Sequence, residues 1–288
     1  MADLGALLTA MVTPFNDRGE VDDDAAVAIA RHLLAHGSDG LVVCGTTGEA
    51  ATLSDDEHIA LIALIAGELG GQGTIVGGAG SNDTRHAVAL TERAVGAGVQ
   101  AVLSVTPYYN RPNRRGLVRH FSEVARAAGG VPVILYNIPS RTGLDMPNDL
   151  LAELAQIEGV QAVKQARPTD VVAIDGLDLY AGNDDMLCQV LELGGAGGIC
   201  VASHVVGDEM ARMVREPEQR RAIDATLRDV YEVLFLTASP ICVKAALNLM
   251  GLRAGGLRLP LVEADEDERA QVREVLERHG VLAGAARP

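Results

Sequence analysis

Short runs rich in Val, Ile, Leu and Ala alternate with amphipathic stretches along most of the chain, and this alternation constrains the fold more than any other feature. Residues 7–12, 40–44, 74–78, 100–105, 132–136, 160–164, 177–181 and 198–202 read as eight strands. Helical patterns fall between them. One is capped by the acidic run Asp22-Asp23-Asp24 and reaches about residue 35. Ser54 and Glu57 form a capping box for the next, and Asn82-Asp83 opens a third. Others span about 115–128, open at Pro147, and run from 183 to 193. Eight β/α units predict a parallel sheet closed as a (β/α)8 TIM barrel. An open doubly wound sheet is the alternative, but its G-x-G-x-x-G fingerprint follows no strand. The glycines at 77, 78 and 80, and at 194, 195, 197 and 198, read as tight turns and close backbone approaches. From about Pro217 the pattern is helical only, over about 217–236, 239–250 and 264–280, with a Gly/Arg-rich loop at 251–260. The acidic run from Glu263 to Glu268 suits a helix N-terminus. The expected organisation is a catalytic barrel over 1–216 and a C-terminal helical domain over 217–288.

Composition narrows the partners. A net charge of −15 disfavours nucleic acid and anionic membrane surfaces. No charged-then-apolar leader follows Met1, and no apolar run approaches the roughly 18 residues of a membrane span. Cys44, Cys188, Cys200 and Cys242 are far apart, as expected of reduced core thiols in a cytoplasmic protein. His32 and His36 have ligand spacing but no glutamate between them, and His58, His86, His120, His204 and His279 form no cluster. Neither metal nor other cofactor is expected.

The chain holds only two lysines, Lys164 and Lys244, among 24 basic residues. One of them, Lys164, ends the apolar run Val160-Gln161-Ala162-Val163. Guanidinium stays charged, whereas burial favours the neutral form of an amine, so a lysine here suits a Schiff-base nucleophile. A side chain that snorkels from a strand end into solvent is the structural alternative. Lys164 shares a face with Ala162 and Val160, whose small or branched side chains leave room for its stem. Lys244 sits in a helical pattern and reads as structural or channel-facing.

In a barrel the loops after the strands open on one rim, which carries the active site. Strand two delivers Thr46 and Thr47, strand four Tyr108 and Tyr109, strand five Tyr136 and then Arg141, and strand six Lys164. An amine nucleophile, phenol and threonine hydroxyls and an arginine fork suit carbonyl chemistry through an iminium and an enamine. A 2-oxo acid such as pyruvate fits best. Its carboxylate would sit on the Gly45-Thr46-Thr47-Gly48 turn, and Arg141 would hold a second carboxylate.

Gly45-Thr46-Thr47-Gly48-Glu49, Thr106-Pro107-Tyr108-Tyr109-Asn110-Arg111-Pro112, Tyr136-Asn137-Ile138-Pro139-Ser140-Arg141-Thr142-Gly143 and Lys164, in this order and spacing, resemble the dihydrodipicolinate synthase/N-acetylneuraminate lyase family. The resemblance extends to Pro240-Ile241-Cys242-Val243-Lys244 and Leu257-Arg258-Leu259-Pro260 and so covers nearly the whole chain. It implies a pyruvate-dependent Schiff-base aldolase on a (β/α)8 barrel with three C-terminal helices, commonly a homotetramer. Tyr109 and Arg141 make the chain most similar to members that condense pyruvate with aspartate 4-semialdehyde in lysine and diaminopimelate biosynthesis. The resemblance gives Lys164 the imine, Tyr136 the proton transfers, and Thr46 the link from Tyr136 to a Tyr109 supplied by a neighbouring subunit. It gives Thr47 the pyruvyl carboxylate and Arg141 the carboxylate of the semialdehyde. Gly182 and Ile199 would line the pocket.

Two departures stand out. After the lysine this chain reads Gln165-Ala166-Arg167-Pro168, where the synthases read Glu-Ala-Thr/Ser-Gly or Asp-Ala, which bears on the pocket floor and the acceptor aldehyde. At the family's effector site for lysine, Asn82, Tyr108 and His58 match, whereas Ala50, Asp55 and His86 replace Ser, His and Glu. Weak or absent lysine inhibition is the expectation. An aldolase for a 2-keto-3-deoxy sugar acid or 4-hydroxy-2-oxoglutarate is the alternative within the same chemistry. A non-catalytic paralogue that binds pyruvate or an amino acid is the alternative outside it.

Overall fold

A computed structural model describes residues 2–282. Eight parallel strands pair each with the next, and the last pairs with the first, so the sheet is a closed barrel. They are β1 (Leu7–Ala10), β2 (Gly40–Val43), β3 (Thr74–Gly78), β4 (Ala101–Val105), β5 (Val133–Asn137), β6 (Val160–Gln165), β7 (Asp178–Ala181) and β8 (Gly197–Cys200). Every residue of β1, β2, β5, β6 and β8 is buried. This is why the strands read as continuous apolar runs: side chains fill the shaft on one face and meet helices on the other.

The helices are α1 (Asp23–Ala35), α2 (Asp55–Leu69), α3 (Thr84–Gly96), α4 (Arg114–Ala128), α5 (Pro139–Thr142), α6 (Asn148–Leu154), α7 (Leu187–Glu192) and α8 (Ser203–Arg215) around the barrel. After them come α9 (Arg220–Leu234), α10 (Ile241–Leu249) and α11 (Glu266–Arg278). The anticipated N-terminal signals act as caps. Asp22 accepts from the Ala25 N–H, and Ser54 with Glu57 completes a capping box. Asp265 and Glu268 do the same for α11. Leu227, Val230, Leu247 and Val272 of the last three helices belong to the same buried cluster as the barrel strands.

Three local features differ from expectation. The expected helix over 183–193 is a 3-10 turn, Asp184–Met186, followed by the shorter α7. Residues 139–142 form a single helical turn, started by Pro139 and stopped by Gly143 at φ 69°. Between β6 and β7 the chain crosses back without a helix. Pro168, Asp170 at φ 55° and Gly176 at φ 85° break that stretch, and a bridge between Ile174 and Leu177 leads into β7.

Candidate active site

β2 runs directly into the Gly45–Glu49 turn. Cys44 and Glu49 bound it in left-handed conformations, at φ 57° and 52°. The Gly48 N–H donates to the Gly45 carbonyl at 3.1 Å, and the Glu49 N–H to the Thr46 carbonyl at 3.1 Å. The neighbouring strand passes so closely that a Cβ on Gly78 would lie 2.1 Å from the Cys44 carbonyl oxygen, so only glycine fits there. The turn leaves Thr47 buried and Thr46 exposed.

The loop after β4 is fastened to β5. Both the N–H and the hydroxyl of Thr106 donate to the Tyr136 carbonyl, each at 2.9 Å. Beyond that anchor the loop turns outward. Tyr108 is 40% exposed, and Tyr109, at φ 70°, is 90% exposed. Tyr136 itself is buried on β5, and Arg141 stands exposed on the single turn α5.

Lys164 on β6 is 5% exposed and pairs in register with Tyr136. Its Nζ lies 4.4 Å from the centroid of the Tyr136 ring. Gln165, the next residue, faces the other side of the sheet, as strand alternation requires. Its Oε1 accepts from the Asn137 amide at 3.0 Å and from the Arg167 N–H at 3.1 Å. Arg167 donates to Asp145 at 3.0 Å, Asn148 at 2.7 Å and the Asp170 carbonyl at 3.0 Å. The side chains of Gln165 and Arg167 therefore build a polar seam with Asn137, Asp145 and Asn148.

Past β7, the Gly182 N–H donates to the Gln165 carbonyl at 2.7 Å, and a Cβ on Gly182 would stand 2.8 Å from the Ala166 nitrogen. Ile199 is fully buried in β8. Asp184 is not marked by any local sequence pattern. It is buried, and its Oδ1 accepts from the Val201 N–H at 2.9 Å and the Ala202 N–H at 2.8 Å. Burial pushes its pKa up, against the pull of those two N–H groups and the charge of Lys164. In the sequence Asp184 looks like any helix-start acid, because its partners lie in the turn after β8 and its burial is tertiary.

The effector candidates divide. Asn82 and Tyr108 lie on adjacent rim loops, which the Asn110 amide joins by donating to the Asn82 carbonyl at 2.8 Å. His58 is buried, with Nε2 at 2.6 Å from the Gly78 carbonyl. His86 meets Ser81 at 3.1 Å and Asp55 at 2.9 Å. His32 is half-buried and His36 exposed, with their rings 4.5 Å apart. All four cysteines are free and buried. Among the described residues no group of three or more His, Cys, Asp or Glu is placed to hold a metal ion.

Four kinds of side chain thus lie past or near the carboxyl ends of β2, β5 and β6: a buried primary amine, a phenol ring against it, hydroxyls on a tight turn, and an exposed guanidinium. Residues 3–279 match the model of the dihydrodipicolinate synthetase family. A 4-hydroxy-tetrahydrodipicolinate synthase from Heliobacterium modesticaldum is 42% identical over 293 residues, spanning 98% of this chain and 97% of the relative. Among solved structures, a dihydrodipicolinate synthase from Cyanidioschyzon merolae with lysine bound superposes with a TM-score of 0.93 at 37% identity. That match covers 98% of this chain and all of the other. The chloride-inhibited dihydrodipicolinate synthase from Acinetobacter baumannii, complexed with pyruvate, gives 0.92 at 34% identity and covers 96% and 99% of the two chains.

Proposed function

The chain belongs to the dihydrodipicolinate synthetase family, and from that premise we propose that it condenses pyruvate with L-aspartate 4-semialdehyde, the 4-hydroxy-tetrahydrodipicolinate synthase reaction of lysine and diaminopimelate biosynthesis. The observation that carries the reading is the pair on β5 and β6: a buried lysine with its Nζ 4.4 Å from a buried tyrosine ring. The neutral amine of Lys164 adds to the pyruvate ketone and water leaves, giving an iminium. Loss of a methyl proton gives the enamine, whose carbon attacks the aldehyde. The amine of the semialdehyde then adds to the imine carbon, closes the ring and releases Lys164. Tyr136 carries protons to and from the reacting centre, with Thr46 and a neighbouring subunit's Tyr109 extending the relay. Thr47 and the turn N–H groups hold the pyruvyl carboxylate, Arg141 holds the carboxylate of the semialdehyde, and Gly182 and Ile199 line the pocket. This chemistry uses a covalent imine and calls for no metal or other cofactor.

The reading includes a homotetramer in the cytoplasm. Buried free cysteines support a reducing compartment, and among the described residues no helix is long and apolar enough to cross a membrane. At the effector candidates the Asp55 carboxylate is taken by His86, which supports weak or absent inhibition by lysine.

The test is borohydride trapping. Protein incubated with pyruvate, reduced and digested should carry the adduct on Lys164 by mass spectrometry, and Lys164→Arg should carry none. An adduct on Lys244, or none at all, would sink the proposal.

A further inference from the structure

The second lysine is as buried as the first. Lys244 on α10 is 1% exposed and lies 4.4 Å from the centroid of the Phe15 ring. Its ammonium has three N–H bonds and three oxygen acceptors. It donates to Glu49 Oε1 at 2.9 Å, to the Thr13 carbonyl at 2.8 Å and to the Gly256 carbonyl. A compact tetrahedral donor fits that arrangement, and a planar guanidinium does not. This accounts for a lysine in a chain that otherwise writes arginine.

What the ammonium grips matters more. Glu49 ends the Gly45–Gly48 turn in a left-handed conformation, which a residue with a side chain keeps only when its surroundings hold it. Both carboxylate oxygens are held: Oε1 by Lys244, and Oε2 by the Arg258 N–H at 3.0 Å. A second tie runs through Thr13, whose hydroxyl donates to the Gly48 carbonyl at 2.6 Å while its own carbonyl accepts from Lys244. The ammonium thus reaches both residues that follow Thr47, one directly and one through a single intermediary. All of these groups except the turn lie on β1's exit or in the segment from α10 to Arg258, away from the reacting atoms.

We propose that Lys244 is a positioning residue: through Glu49 and Thr13 it fixes the turn that presents Thr46, Thr47 and the turn N–H groups to the carboxylate of the first substrate. This rests on the pyruvate reading above. It makes the C-terminal helices part of the apparatus that orders the site, although they contribute no reacting group.

The experiment compares the parent with Glu49→Gln and with the double variant Glu49→Gln/Lys244→Met. The double variant removes both charges together and leaves no lone buried ion. Each is melted, then titrated with pyruvate by borohydride trapping at Lys164, and its kcat and the two substrate KM values are measured. Expected is a rise of about 10-fold or more in half-saturating pyruvate, with the KM for aspartate semialdehyde changed less than about twofold, in whichever variants keep a cooperative melt. Glu49→Gln removes the charge that pairs with Lys244 and turns one of the two acceptor oxygens into a donor facing either the ammonium or the Arg258 N–H, so it weakens the grip on the turn and supplies the test should the double variant not fold. Unchanged half-saturating pyruvate in a folded variant, whatever its Tm, overturns the positioning role. A parent that forms no adduct on Lys164 overturns the functional reading instead.

Discussion

Tyr136 and Lys164 occupy the same level of adjacent strands, so the phenol ring is both a wall for the amine and the carrier of a hydroxyl beside it. Phe in place of Tyr136 keeps the wall and removes the hydroxyl. The imine should therefore still form and be trapped by borohydride, while kcat falls by about 100-fold or more as the proton transfers lose their carrier. Turnover at the parent's rate in Tyr136→Phe would refute that role. These two residues were legible in the sequence because strand ends in a barrel point at one rim and alternation fixes the face. Thr47 and Arg141 lie past the strand ends, and their place followed from the loops after β2 and β5, which open on the same rim. Asp184 was not legible, since nothing local marks an acid whose oxygen will be claimed by two N–H groups of the turn between β8 and α8. Glu49 stood in a recognised motif, yet its partner lies on α10, and no spacing rule connects the two.

At the scale of elements, one buried histidine of α8 reaches the segment that follows β1, beside the Thr9 hydroxyl of β1 that donates to Ser203 of α8 at 2.7 Å. His204 is fully buried; its Nδ1 lies 2.7 Å from the Val201 carbonyl, and its Nε2 accepts from the Val12 N–H at 3.3 Å. Nδ1–H donates to Val201 in either protonation state, but Nε2 can accept from Val12 only in the neutral ring. Burial lowers its pKa from 6.5 to about 4. The folded value is below the unfolded one, so its stabilisation is whole above about pH 6.5 and is lost as pH falls through about 4. A shift of this size corresponds to about 3 kcal/mol at most. Urea unfolding between pH 7 and pH 4 should show the midpoint dropping, and the drop should be smaller in His204→Gln. An equal drop in both proteins would remove His204 as its source. Strands, caps and most helices could be read in advance because their signals are local: apolar runs, Asp22, and the Ser54–Glu57 box. The crossover from β6 to β7 resisted such reading. Its apolar residues Val171, Val172 and Ile174 suggest structure, while Pro168 and Gly176 bracket the run and Asp170, at φ 55°, turns the chain out of a helical path.

For the molecule as a whole, one residue is out of place in a lone chain. Tyr109 holds its ring 90% exposed from a loop whose base is tied firmly to β5. An aromatic ring presented on a left-handed residue, at the rim of a site whose own phenol is buried, suits delivery to another copy of the chain. The proposed relay then has a consequence that no single-chain enzyme shares. Lys164→Ala lacks the nucleophile, and Tyr109→Phe lacks the delivered hydroxyl, so each homo-oligomer should be nearly inactive. In a mixed pair, the Tyr109→Phe subunit keeps its lysine and receives an intact Tyr109 from its Lys164→Ala neighbour. One complete site forms. Random reassociation of equal amounts should restore about a quarter of the parent's activity, with the gain appearing only after the subunits exchange. Activity that stays at the sum of the two inactive parents after verified exchange would place Tyr109 outside the neighbour's site. It would return the proton relay to Tyr136 and Thr46 of one chain.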